Sequence, residues 1–296
     1  MGFAEFEEKE FEKPLYNQLE DGPCDIWTPG QCLEACIGFD FSGNITNDRF
    51  WKRFDGFIPK GVILNDYNMN YFLRKMKKKR MLPNFSLNLF IQAKRPYVHS
   101  GKNKDSVYCG QHYSFEINHI QQDLLDALDR KLRHRALLVY ASPIFGTYEE
   151  LYQYTKDKKI IDKTSFPRIN TLSGHSHWYY CDNCNGIAYS EPEKHKINNI
   201  FGTIESFIYK NTQIHMNTSY AENLESLYNS IIETVNDYHY NAQVNYFFSK
   251  IEKVDIDYEY DIGRLYRLSY SLWKHYHTIS TFCDVFNLDW FVLNPN

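Results

Sequence analysis

The sequence predicts an α/β fold, a mixed central sheet flanked by helices with an α-helical layer toward the C-terminal end, and three stretches carry that expectation. First, an apolar strand-like run at residues 85–94, a helical stripe at 117–134 and a second apolar run at 136–141 succeed one another as strand, helix and strand. Such a unit places its two strands parallel with a crossover between them, so residues 85–94 belong inside a sheet. Second, residues 178–181 and 186–189 alternate about Asp182-Asn183-Cys184-Asn185, the pattern of a hairpin. Third, residues 219–251 and 257–286 carry the apolar spacing of two long helices, with Leu224, Leu227, Ile231, Ile232 and Val235 in the first and Leu265, Leu268 and Leu272 in the second.

Taken in order, residues 1–27 read as an N-terminal arm, because Pro14, Gly22 and Pro23 interrupt any long element. Thr28-Pro29 then resembles a helix start, with threonine at the N-cap and proline at the first helical position. The short helix it opens, residues 31–37, carries Glu34 near its last turn and stops at Gly38. Phe39-Asp40-Phe41 alternates ring, carboxylate and ring, the period of a half-buried strand. Residues 50–57 are aromatic and contain Asp55, and residues 65–80 form a helix-compatible stretch that Pro83 closes. In the strand that follows, side chains alternate faces, so Gln92 and Lys94 point one way and Ile91 and Ala93 the other. The stripe of the next helix is Ile117, Ile120, Leu124, Leu125, Leu128 and Leu132. Organisation therefore divides into the arm, a core at 28–200 that includes the hairpin, and a helical region at 201–296 packed on that core.

The totals narrow the function classes. A net charge of −4 argues against a surface coated with nucleic-acid-binding charge, so any such binding must come from local patches. No stretch approaches the roughly 20 apolar residues needed to cross a bilayer, and the acidic, Phe-rich start is unlike a signal peptide. The expectation is a cytoplasmic protein. Seven scattered cysteines suit reduced thiols better than a disulfide framework. Walker, dinucleotide-binding, H-E-X-X-H and G-X-S-X-G motifs are missing, which disfavours ATPase, dehydrogenase, metalloprotease and α/β-hydrolase chemistry.

Chemistry concentrates on the polar face of residues 85–94. An amide oxygen and an ammonium beside an apolar run cost free energy unless something meets them, and a divalent cation with a phosphate would meet both. Glu34, Asp40 and Gln92 offer hard oxygen ligands for Mg²⁺ or Mn²⁺, and Lys94 would orient a water or stabilise transition-state charge. This arrangement resembles the PD-(D/E)XK nuclease superfamily, in which an acidic residue on a helix and an Asp on a strand precede (D/E/Q)-X-K on the next core strand, followed by a helix and a strand. The Gln variant is similar to that of Mrr-like restriction enzymes, and the resemblance covers residues 28–145. It implies a restriction-endonuclease-like sheet and a metal-dependent DNA endonuclease acting in restriction or antiviral defence, as a homodimer, with a sensor or regulatory protein as a further partner. Glu34, Asp40, Gln92 and Lys94 would be catalytic, the first three as metal ligands, with Asp55 the alternative to Asp40.

Arg74, Lys75, Lys77, Lys78, Lys79 and Arg80 form a basic run just before that strand and, with Arg95, are candidate phosphate contacts. A solvated helix face is the competing account, as it is for Arg130, Lys131, Arg133 and Arg135. His175, His177, Cys181 and Cys184 are ligands of the right types for a structural Zn²⁺, although a plain hairpin turn explains them too. Two other functions stay open: a catalytically inactive nuclease-fold protein that binds nucleic acid or a partner protein, and a zinc-stabilised interaction module.

Overall fold

A computed structural model describes residues 2–30, 44–45, 63–64, 86–101, 108, 110–215, 218–238, 241–251 and 264–294. Among them the fold is mixed α/β, with seven α-helices and two main sheets. In chain order the strands are β1 (Gly2–Phe3), β2 (Ile26–Trp27), β3 (Asn44–Ile45), β4 (Ile63–Leu64), β5 (Leu87–Ala93), β6 (Tyr97–His99), β7 (His112–Glu116), β8 (Ala136–Pro143), β9 (Thr164–Ser165), β10 (His177–Tyr180), β11 (Asn185–Tyr189), β12 (Glu193–Lys196) and β13 (Asp289–Leu293). The helices are α1 (Glu8–Glu20), α2 (His119–Leu132), α3 (Tyr148–Lys156), α4 (Ile200–His215), α5 (Tyr220–Asn236), α6 (Ala242–Ile251) and α7 (Arg264–Phe286). No helix of the described residues is long and apolar enough to cross a membrane.

The five-stranded sheet runs β2-β13-β5-β8-β9. Strand β5 is central and pairs parallel with β8 in the register Gln92 to Tyr140, as the strand-helix-strand pattern predicts. The crossover is richer than expected, because β6 and β7 precede α2 within it. Every residue of β5 and β8 is buried, since helices or the second sheet cover both faces. One face, with Leu87, Leu89, Ile91, Leu137 and Val139, packs under α1 and α4. The other, with Phe90, Leu138 and Tyr140, packs against α2, α5, α7 and the aromatic face of the second sheet.

Three expectations are corrected. The N-terminal arm is built around one 13-residue helix, α1, which Pro14 does not interrupt. Burying Phe11, Leu15 and Leu19 on one stripe of α1 gives about 5–9 kcal/mol at about 1.5–3 kcal/mol each, which exceeds the roughly 3 kcal/mol cost of an interior proline such as Pro14. The single helix expected at 219–251 is two, α5 and α6, with the side chain of Asn241 accepting the Gln243 N–H at the start of the second. Within α2, Ile120 is exposed and the polar Gln121 and Gln122 are buried in its place. The C-terminal end also adds what the helical layer did not predict. Strand β13 returns to pair antiparallel with β5, Trp290 opposite Phe90.

The second sheet is antiparallel throughout, in the order β1-β6-β7-β10-β11-β12. Its inner face carries Tyr113, Phe115, Trp178 and Tyr180 into the core, and its outer face carries His99, His112, Ser114, His177 and Tyr179. His99 and His112 are a buried cross-strand pair with ring centroids 4.7 Å apart and planes at 5°, and His99 Nε2 lies 2.8 Å from Ser114 Oγ. Burial first, then the neighbouring His112 and His177, hold the His99 ring below the ordinary histidine pKa. A base whose folded pKa is depressed stabilises the fold at pH above its unfolded value, about 6.5, and loses that contribution as the pH falls. Thermal midpoints should therefore be flat above about pH 7 and decline below about pH 6.5, with a shallower decline in His99→Gln. An identical slope in that variant would show that the ring does not carry the effect.

Candidate active site

Gln92 sits near the C-terminal end of β5, between β13 and β8, and is 1 % exposed. The last carbonyls of a helix lack intrahelical partners, and that of Phe286 at the end of α7 takes donors from two amides. Gln92 Nε2 donates to it at 3.0 Å and Gln121 Nε2 of α2 donates to it as well. The carbonyl needs a donor, so this contact fixes which end of the Gln92 amide faces it. Gln92 Oε1 then points elsewhere, buried and without a hydrogen-bond partner among the described residues. An unmet buried acceptor costs on the order of 1–3 kcal/mol, which a bound cation or donor would recover.

Lys94 follows directly. Its backbone N–H donates to the Ala141 carbonyl at 2.9 Å, and its own carbonyl accepts from Ser142 Oγ at 2.9 Å, so β8 holds the residue on both sides. The side chain turns to the same face as Gln92, placing Nζ 5.5 Å from the centre of the Tyr140 ring. Tyr140 is fixed in turn by donating to Gln122 Oε1 at 2.6 Å. Among the described residues no carboxylate lies within ion-pair distance of Nζ. Burial pulls the Lys94 pKa below the usual lysine value, and the more distant Glu8 and Glu116 partly offset it. The result is a partly buried ammonium beside the Tyr140 ring, a group suited to meeting negative charge.

Glu8 and Glu116 are the acidic neighbours that the sequence did not single out. Glu8 lies in the first turn of α1, where its Oε1 accepts the Arg95 backbone N–H at 3.2 Å, and Glu116 ends β7 just before α2. The one sequence signal for Glu116 was its position at the junction of strand and helix; Glu8 was hidden in a run of acidic residues. Glu34, Asp40 and Asp55, the carboxylates expected to complete the site, lie outside the described residues, as do Arg74, Lys75, Lys77, Lys78, Lys79 and Arg80.

Arg95 is placed differently from a phosphate contact. Its Nε and Nη2 donate to the Ala4 carbonyl at 3.0 and 2.6 Å, its Nη1 pairs with Glu7 at 2.7 Å, and the guanidinium lies 5.0 Å from the Phe3 ring centre. It staples the N-terminal segment beside β6.

No family model, curated protein or solved structure matches this chain, so geometry alone must carry the functional argument.

The four candidate zinc ligands, for which a plain hairpin was the competing account, do not converge. Strand alternation sends His177 to the outer face, where Nδ1 meets Ser176 Oγ at 3.0 Å and the ring stacks on Tyr179. Asp182 organises the turn that holds the cysteines, its Oδ1 accepting the N–H groups of Cys184 and Asn185 at 2.8 and 2.7 Å. Cys181 and Cys184 are free, with Cys184 Sγ beside Asn183 Oδ1 at 3.1 Å. Only His175 of the four joins a group with ligand spacing, and its companions are Glu193 and His195. Both sit on β12, the short edge strand that pairs with β11. The alternation Glu193-Lys194-His195-Lys196 was the available signal.

Proposed function

We propose that this chain is a metal-dependent DNA endonuclease with a restriction-endonuclease-like active site built around Gln92 and Lys94. The observation that carries the reading is the buried, unpartnered Gln92 Oε1 two positions from an ammonium with no described carboxylate in contact, both on one face of the central strand. The parallel pairing of β5 with β8, and the buried α2 between them in sequence, supply the strand-helix-strand context that such a site needs. Gln92 fits a divalent cation because an amide oxygen is a hard ligand and this one has no competing donor among the described residues. It would hold Mg²⁺ or Mn²⁺ together with carboxylates such as Glu34 and Asp40. The ion, when bound, supplies positive charge on the scissile phosphate and a more acidic water.

The chain's own residues do the rest. Lys94 would face the phosphate oxygens as charge builds on them, with Nζ 5.5 Å from the Tyr140 ring centre. Phe286 O orients the Gln92 amide through the Nε2 hydrogen bond, so no reorganisation is needed at that ligand. A role in restriction or antiviral defence, action as a homodimer and dependence on a sensor protein follow from the same reading. The test is incubation with supercoiled plasmid in Mg²⁺, Mn²⁺ or chelator. Nicked or linear product with either ion and none in chelator is the expected result. DNA binding with no cleavage under any ion would instead make this a nucleic-acid-binding protein.

A further inference from the structure

We propose that His175, Glu193 and His195 bind one Zn²⁺ ion at the open edge of the six-stranded sheet. This site is separate from the Gln92–Lys94 face and would stand whether or not the chain cleaves DNA. His175 Nε2 and His195 Nε2 approach the same carboxylate oxygen, Glu193 Oε2, at 3.7 and 3.8 Å, and one ligand atom from each of the three residues lies within 4.8 Å of the others. Those separations are too long for hydrogen bonds. They are close to the roughly 3.3–3.5 Å between ligands on a tetrahedral zinc with bonds of about 2.0–2.2 Å, and drawing the two imidazoles together from within 4.8 Å would close the site.

Burial argues in the same direction. The His175 and His195 side chains are only 12 % and 22 % exposed, yet His195 Nε2 is buried with no hydrogen-bond partner among the described residues. A buried imidazole nitrogen aimed at a second imidazole and a carboxylate, with nothing satisfying it, is a group waiting for a cation. Local structure fixes both rings. Gly174 adopts φ +77°, a left-handed turn that favours glycine, and the His175 N–H then donates to the Leu172 carbonyl at 3.2 Å. His195 lies opposite Gly186, whose missing side chain lets the Trp178 ring slide under β11 and pack at 6.2 Å from the imidazole.

The donor set disfavours magnesium. Two imidazoles and one carboxylate suit zinc far better than Mg²⁺, which prefers oxygen ligands alone. Lys194 and Lys196 alternate to the other face of β12, so the strand's own cations do not compete. Three protein ligands leave a fourth position for water, and the 64 % exposure of Glu193 opens that position to solvent. Bound there, the ion would tie the edge strand β12 to the loop before β10.

Zn²⁺ titration of the chelator-stripped full chain, read by calorimetry and by the visible spectrum after Co²⁺ substitution, tests this. One equivalent should bind, with a Co²⁺ spectrum of four-coordinate nitrogen and oxygen ligation and no thiolate charge-transfer band. His195→Ala should weaken binding about 100-fold or more. Glu193→Gln, at an exposed position that folding tolerates, should weaken it about 10-fold, and the double variant Cys181→Ser, Cys184→Ser should bind as the parent does. Absence of stoichiometric Zn²⁺, affinity unchanged in Glu193→Gln, or a thiolate band lost in the cysteine variant would overturn the assignment.

Discussion

Lys94→Ala should reduce metal-dependent plasmid cleavage by at least about 100-fold, the scale of losing one preorganised charge stabiliser, while the protein stays folded. The side chain makes no ion pair with any described residue, and its contact with the Tyr140 ring is worth only on the order of 1 kcal/mol. The loss would therefore belong to the reaction and not to the fold. Gln92 separates two roles more sharply. Changing it to Glu removes the amide donor to the Phe286 carbonyl and buries a carboxylate, which costs several kcal/mol if nothing neutralises it. A cation at that position would offset the cost. Gln92→Glu should thus melt lower than the parent in chelator, recover on addition of Mn²⁺, and keep cleavage activity. A variant that is equally destabilised with and without the ion would mark Gln92 as a core residue only.

Gly186→Ala should lower stability by about 3 kcal/mol or more. A Cβ there would stand 2.0 Å from Trp178 Cζ2 and 2.4 Å from Cη2, and the indole cannot retreat easily. Trp178 is fully buried, its Nε1 reaches Ser165 Oγ at 3.3 Å, and its ring belongs to the same core as Phe115 and Tyr180. Either the ring leaves its place, at a cost of the order of a large core truncation of about 3–5 kcal/mol, or the hairpin β10–β11 separates from it. For a chain of this size the drop corresponds to a melting shift of roughly 5 °C or more. Urea midpoints check it, and Trp178→Leu combined with Gly186→Ala should be much less destabilised than the sum of the single changes. A single variant within about 0.5 kcal/mol of the parent would show that the strand can shift to make room.

What could be read from the sequence was what nearest neighbours determine. Strand β5, helix α2 and strand β8 declare themselves through local periodicity, as does the hairpin around Asp182, and the shared face of Gln92 and Lys94 follows from pleat geometry alone. Partners far away in the chain left no such mark. Strand β13 lies some 200 residues beyond β5, and its five-residue run reads equally well as the end of a helix until β5 is there to receive it. Helix α1 was concealed by Pro14, whose local cost is outweighed only by burial against a sheet formed much later. Strand β12 is short and mostly charged, so its His195 gave no sign that it would face His175 across a turn. The candidate site followed the same division: the shared face of Gln92 and Lys94 was legible because they lie two residues apart in one extended segment, whereas Glu8 and Glu116 come near Lys94 only through tertiary packing.

The central claim is that Gln92 Oε1 is a metal ligand, and anomalous diffraction from crystals soaked in Mn²⁺ measures it directly. The account predicts a manganese peak about 2 Å from Gln92 Oε1, with a carboxylate completing the coordination and Lys94 Nζ facing the same space. Manganese bound only at His175, Glu193 and His195, or an amide oxygen satisfied by an ordinary water with no ion beside it, would contradict it.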